Sequence, residues 1–366
     1  MRVDSITLRP GERLPDTLRA AWDALRDVDT ASPYLAPGFA EAVAGAEGAA
    51  PVRVLVAGRD TPEGLLALQG GRTARPVGAP LSDYHGVIGR ADVPGLLARG
   101  GVEVMGVHGW TGGEDGLERM PVCRIDLSHG VEAWREGRGS SYSRHVKSHR
   151  RRVRKAAEEV GAPSVEWRSR NVDVFNRLIA WKRAQYAATG KYDVLANWPQ
   201  TLLRNLWERG AESYGIGAEM HALRFGRRLA AVDLGLVEGT TFHSWIVAYD
   251  PDLATYGPGI QLLEALVATA PELGYAMLDL GTGMDGYKRH YGNVDASVGV
   301  GTLRTAGARA SLSRAYARLE PRAEPLARLR RRWNQIAACE TSTWKRLGAV
   351  GQGVGWHIAS GRERTG

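Results

Sequence analysis

Cysteine is almost absent: Cys123 and Cys339 are the only two in 366 residues. Two thiols so far apart supply neither a disulfide framework nor a zinc-ligand pattern. They read as reduced thiols of a cytosolic protein. No run of about 18 apolar residues occurs, so no segment reads as a membrane span. The stretch from Met1 to Pro15 mixes charge and proline with apolar residues and lacks the apolar region of a signal peptide. A cytoplasmic location is therefore expected. Nucleophile-elbow, Walker A and clustered metal-ligand patterns are missing, so no metal is expected. The glycines between Gly281 and Gly286 do not form a dinucleotide fingerprint after a first strand.

Basic residues, by contrast, are in excess, and the excess is local. The net charge is +8. Between Arg135 and Lys155 nine Lys/Arg face a single acid, Glu136, so 9 − 1 = +8 matches the whole-chain value. A second basic stretch follows Arg322. Residues 144–155 read as a basic helix with three open roles. It is a solvated connector, a surface for tRNA or another polyanion such as anionic lipid, or a rim that draws in an acidic substrate. Only Trp134 and Tyr142 lie nearby for base stacking, which speaks against a dedicated single-strand reader.

The length allows two domains. Residues 1–140 read as a first α/β unit. It has helices over Leu14–Arg26 and around Phe39 and Val43. Strands are expected over Val52–Ala57, Gly64–Gln69, Tyr84–Ile88 and Val102–Val107, with Cys123–Leu127 closing the sheet. Residues 141–162 read as the connecting helix, with Val146, Val153 and Val160 as a narrow apolar stripe. Residues 163–305 read as a second α/β unit. Its expected elements are a strand at Val165–Arg168, helices at Val172–Ala188 and Trp198–Gly210, and a meander of Met220–Phe225, Leu229–Leu236 and Thr241–Tyr249. A helix from Gly259 to Ala270 and strands at Ala276–Leu280 and Val298–Leu303 complete it. Residues 306–366 read as a basic helical extension with a frayed glycine-rich end. The order of elements is compatible with a duplicated fold, although no residue-level repeat is visible.

The stretch from Phe242 to Gly292 carries the candidate chemistry. Tyr249-Asp250-Pro251 ends a strand, and Gly257-Pro258-Gly259 starts a helix. Pro258 suits the first helical turn. A helix start offers unpaired N–H groups and a positive dipole end, which suit a phosphate or an oxyanion. The plainer alternative is an ordinary strand-to-helix turn. Lys288 can neutralise an anion or stabilise an oxyanion, and Tyr287 can donate a proton, weakly. Their plain alternative is a solvated loop. His243 and Asp233 lie inside strands. Each is either a general base or a packed polar residue.

Taken in order, several pieces resemble CelD-like acyltransferases of the GNAT superfamily. They are Trp181-Lys182 with Gln185-Tyr186, Thr189-Gly190, Gly226, Leu229-Ala230-Ala231, and Phe242 to Asp250. Tyr256-Gly257-Pro258-Gly259, Gly274, Leu278-Asp279-Leu280-Gly281, Tyr287-Lys288 and Tyr291-Gly292 follow. The resemblance spans roughly Val165 to Leu303. It extends to the FemABX peptidyltransferases, which carry tandem GNAT-like domains. It implies an α/β (α+β) fold of two such domains, each a mixed, mostly antiparallel sheet flanked by helices.

The resemblance also implies transfer of an acyl group, in the simplest case acetyl, from acetyl-CoA or another acyl-CoA. The acceptor would be an amine or hydroxyl of a cell-envelope, polysaccharide or other small-molecule precursor, attacking within a ternary complex. Lys288, Tyr287, His243, Asp233 and Asp279 become the catalytic candidates. Tyr249, Tyr256, Gly257, Pro258 and Gly259 become the donor site. Trp181, Lys182, Gln185, Tyr186 and Trp245 become the acceptor site. One departure stands out: the loop Leu253 to Gly259 lacks the Arg or Gln that opens the usual GNAT donor loop. The FemABX relatives also lack the standard loop and take aminoacyl-tRNA, which is the alternative donor. A non-catalytic binding protein using the basic helix is the third reading.

Overall fold

A computed structural model of the protein describes residues 2–26, 32–319, 333 and 336–339. The first strands and helices are β1 (Val3–Leu8), α1 (Asp16–Leu25), α2 (Pro37–Ala44), β2 (Val52–Gly58), β3 (Pro62–Gly70), β4 (Thr73–Pro76), β5 (Ile88–Gly89), α3 (Val93–Arg99) and β6 (Val104–Trp110). Then come β7 (Glu118–Asp126), α4 (Val131–Glu136), α5 (Ser140–Glu159), β8 (Pro163–Glu166), α6 (Val172–Ala188) and α7 (Trp198–Tyr214). The meander β9 (Gly217–Phe225), β10 (Arg228–Glu238) and β11 (Thr241–Tyr249) leads to α8 (Pro258–Thr269), β12 (Met277–Thr282), β13 (Ser297–Arg304) and α9 (Ala308–Leu319).

Contacts divide the chain into two compact units. One holds the described residues of Met1–Arg119, Tyr186–Asn205 and Val298–Gly366; the other holds Met120–Gln185 and Leu206–Ser297. Each has a mixed sheet with helices, as the sequence led us to expect. In the first, the strand order is β1-β2-β3-β4-β6-β13, with β5 on β3. The centre of this sheet is built from apolar runs: Val52, Val54, Leu55, Leu65 and Leu68 are fully buried. Every residue of α2 is buried. Its one carboxylate, Glu41, is matched by Arg13 at 2.9 Å, Arg19 at 2.5 Å and the Leu14 N–H at 3.1 Å. A buried charge is tolerated only with such partners.

In the second unit the order is β7-β12-β11-β10-β9-β8. β9, β10 and β11 pair antiparallel, and β11 and β12 pair parallel through the crossover helix α8. The crossover packs Leu263, Leu266 and Val267 of α8 against Phe242, Tyr275 and Leu278. α5 buries Tyr142, His149 and Ala156, while Val146, Val153 and Val160 are only half-buried. The two sets alternate by fours and threes, so they form one seam of the seven-residue type. Only its valine half was expected.

Several boundaries move from the expected ones. Tyr84–Ile88 is not a strand; His85 makes one bridge to Trp110, and only Ile88–Gly89 is extended in pairing. The Cys123–Leu127 strand groups with the second unit, where Asp126 pairs with Met277 and Arg124 with Asp279. β13 pairs with β6. β1, β4, α3 and α4 were not expected. The basic stretch beyond Arg322 and the glycine-rich end lie outside the described residues.

A bulge separates Leu234 from Gly235 in β10, opposite Ile246 and Ser244, and leaves Trp245 as the extra residue of β11. Gly235 is required there. A Cβ at this position would overlap the Phe242 ring and the His243 carbonyl. Gly235→Ala should therefore cost about 1–3 kcal/mol by overpacking, seen as a lower Tm in thermal unfolding. An unchanged Tm would show that the Phe242 ring yields freely.

Candidate functional site

The site grows from the way β11 and β12 part. They pair at Thr241↔Met277, Phe242↔Leu278 and His243↔Asp279, and at no later residue. β11 continues to Tyr249 and β12 to Thr282. The strands thus form a fork whose base is the His243–Asp279 pair. Backbone groups on the inner edges of a fork lack strand partners and are available to other donors and acceptors. Lys182 of α6 takes one of them, its Nζ donating to the Val247 carbonyl at 3.1 Å.

The base of the fork is tightly bound. Asp279 Oδ2 accepts from Arg124 Nε at 2.8 Å, and Oδ1 accepts from the Gly281 N–H at 2.8 Å. The fully buried His243 has its Nδ1 3.4 Å from Oδ1. Arg124 was not singled out in the sequence. A signal existed: Arg124 is a cation between the buried Cys123 and Ile125, as Asp279 is the lone anion of β12, and the two are cross-strand partners.

Asp233 is placed differently. It is 5% exposed, and its Oδ2 accepts from Ser244 Oγ at 2.7 Å. Its Oδ1 has no hydrogen-bond partner among the described residues. Burial pushes its carboxyl up to about 7, against the opposing pull of the Ser244 bond and of His243 and Lys182. Trp245 is half-buried at the bulge. Trp181 and Lys182 are half-buried on α6, and Gln185 is exposed. Tyr186 falls in the other unit, where burial and then the charges of Asp193, Cys339 and Asp83 push its hydroxyl up to about 12.

On the far side of the fork, the loop before α8 ends at Gly257, which has φ +64 and caps the helix without a side-chain hydrogen bond. Only glycine takes this left-handed conformation without strain. Pro258 is at the first helical position, and a Cβ on Gly259 would meet only Tyr249, at 3.8 Å. Tyr249 is 42% exposed. The Tyr256 hydroxyl donates to Glu159 of α5 at 2.7 Å. Arg152 of α5 lies beside the loop, its Nη1 3.2 Å from the position of a Gly257 Cβ. An uncapped helix start, small residues and a guanidinium form a donor set that suits a diphosphate. The residues present therefore fit the phosphate end of an acyl-CoA.

The β12 end is closed by Lys288, whose Nζ donates to the carbonyls of Leu280 at 2.6 Å and Thr282 at 3.0 Å. The Cys123 thiol donates to the Lys288 carbonyl at 3.4 Å. That thiol is held at about 11 by burial, so it is neutral and inert. Tyr287 is 40% exposed. Its hydroxyl end is desolvated, which with the charges of Asp233 and Cys123 pushes it up to about 12. The Asp233 carboxylate thus acts on the Tyr287 hydroxyl.

Residues 143–289 match the family model of the acetyltransferase (GNAT) domain. The fork, the α8 crossover and the Lys288 closure all lie within this matching segment. Acyl transfer, generally with an acyl-CoA co-substrate, is the chemistry such a domain implies. No curated protein matches the sequence. Among solved structures, FemX is 12% identical, with 82% of this chain and 96% of that chain covered and a TM-score of 0.48. A tandem GNAT protein from the clavulanic acid biosynthesis pathway is 11% identical, with 84% and 100% covered and a TM-score of 0.47. Among the described residues, no helix is long and apolar enough to cross a membrane.

Asp233 also sets a pH dependence of stability. Its folded-state pKa is raised from 3.8 to about 7. The native state then holds a proton that the unfolded chain has already lost, so stability falls as pH rises through this window. Asp233→Asn, which keeps the Ser244 contact, should raise the Tm at pH 8 and do so much less at pH 4. An equal effect at both values would contradict the raised pKa.

Proposed function

We propose that the second unit transfers an acyl group, most simply acetyl, from an acyl-CoA to an amine or hydroxyl. The acceptor class would be a cell-envelope, polysaccharide or metabolite precursor, within the CelD-like branch that the ordered residues resemble. The observation that carries this reading is the fork within the GNAT-matching segment. It has an uncapped helix start on one side and a buried carboxylate with an open oxygen near its base.

The geometry supports the following roles. The bound acyl-CoA supplies an activated thioester. The α8 start with Gly257, Gly259 and Arg152 holds its phosphates. Asp233 Oδ1 takes the proton that the attacking amine or hydroxyl loses, and a base with pKa near the working pH suits that task. Tyr287, neutral at pH 7, supplies a hydrogen bond or a proton to the departing thiolate. Lys288 holds the β12 end, and with it Tyr287, in place. Asp279 and Arg124 orient His243. Trp181, Lys182, Gln185 and Trp245 remain the acceptor-binding set we propose; Tyr186, expected with them, falls in the other unit and is left out.

A second reading is favoured by one observation. Arg144, Lys147, Arg150, Arg151 and Arg154 are exposed on α5, whose Arg152 lies against the donor loop. An aminoacyl-tRNA donor would use that charge, and its binding would weaken steeply with salt.

Calorimetric titration with acetyl-CoA and free CoA tests the first reading. We expect micromolar binding to the wild type, weakened at least about tenfold by Gly259→Leu. Lys288→Ala should lower turnover more than about tenfold in a folded protein. Absent CoA binding, together with salt-sensitive binding of charged tRNA, would replace this reading with the second. Full turnover by Lys288→Ala would remove that residue from the mechanism.

A further inference from the structure

A cavity lies within the second unit, between α4, α5 and α8. Its volume is about 420 Å³, and its walls are Glu132, Arg135, Tyr142, Val146, His149, Arg150 and Glu264. This is within the range of small-molecule sites. None of these residues belongs to the fork described above.

The walls are graded by depth and by charge. Tyr142 and His149 are buried, Glu264 and Val146 are half-buried, and Arg150 is exposed. The Glu264 carboxylate is fixed by two hydroxyl donors: Tyr291 to Oε1 at 2.6 Å and Tyr142 to Oε2 at 3.3 Å. Each oxygen keeps a further lone pair. His149 is 7% exposed, and its Nδ1 has no hydrogen-bond partner among the described residues. Burial, with help from His145 and Arg152, lowers it to about 4, so its ring is neutral and one ring nitrogen is an acceptor. At the rim, Arg135 is engaged by Glu132 at 2.5 Å. Arg150 makes no hydrogen bond or ion pair among the described residues. The depth of the cavity therefore offers acceptors, its middle an apolar Val146 side chain, and its mouth an unpaired guanidinium.

We propose that this cavity binds a small zwitterion: an ammonium group at Glu264 and His149, a short aliphatic chain along Val146, and a carboxylate or similar anion at Arg150. The Glu264 carboxylate has lone pairs left beyond its two tyrosine donors, and the neutral His149 ring adds one nitrogen acceptor, so an ammonium, with three donors, matches this end of the cavity. Arginine matches a carboxylate with two parallel N–H donors. The proposal does not rest on the acyl-transfer reading, because the binding needs no acyl donor.

Calorimetry on the full chain, with no acyl-CoA present, tests it. The probes are β-alanine and γ-aminobutyrate, with n-butylamine and butyrate as singly charged controls. We expect at least one zwitterion to bind with a Kd below about 1 mM, and both controls to bind at least about tenfold more weakly. Arg150→Ala and Glu264→Gln should each weaken the zwitterion about tenfold or more. Arg150 is exposed, so its variant tests the idea even if Glu264→Gln disturbs the Tyr142 and Tyr291 contacts. Absence of zwitterion binding would overturn the proposal. So would butylamine or butyrate binding equally well, or wild-type affinity in Arg150→Ala.

Discussion

The buried ion pair between Arg124 and Asp279 is the interaction on which the site depends. It joins β7 to β12 at the level where β12 leaves β11. A carboxylate this buried needs a fixed cation and good hydrogen bonds, and Asp279 has both. Its second oxygen holds the Gly281 N–H and faces His243. The strand end is thereby turned away from β11 along a defined path. Lys288 then secures the carbonyls of Leu280 and Thr282 beyond the turn. These contacts hold the β12 end on its own path, and the bulge at Trp245 interrupts β11 at the same level.

The same unit contrasts two ways of burying a carboxylate. Asp279 is compensated by Arg124 and the Gly281 N–H, at the cost of being committed. Asp233 receives one hydroxyl and keeps one oxygen open, so its proton is held up to about pH 7. The first arrangement builds the scaffold and the second supplies reactivity. Uncompensated burial lowers stability, and that cost is the usual mark of a functional group. On the other side, the basic helix α5 does more than connect. Its seam of Tyr142, His149 and Ala156 packs inward, and Arg152 and Glu159 reach the loop before α8.

Long periodic elements were readable from the chain. Helix Val172–Ala188 and strand Thr241–Tyr249 have the expected bounds, because their apolar spacing and flanking breaks agree. The α8 start was readable from Gly257-Pro258-Gly259. Short elements were not. β1 and β4 carry little apolar alternation, and α4 is six residues long. The destination of the Cys123–Leu127 strand was also hidden, because pattern reports that a segment is a strand and not which strand it joins. The opposite charges at Arg124 and Asp279, each flanked by buried apolar residues, were the available clue. Asp233 and Asp279 looked alike in sequence, each a single acid in an apolar run. Only their partners tell them apart.

Hydrogen–deuterium exchange with and without acetyl-CoA tests the central claim, that the fork between β11 and β12 is the donor site. The account predicts slowed exchange in peptides covering Ser244 to Ile260 and Leu280 to Lys288, with the other segments unchanged. Unchanged exchange in both, or protection confined to other segments, would contradict it.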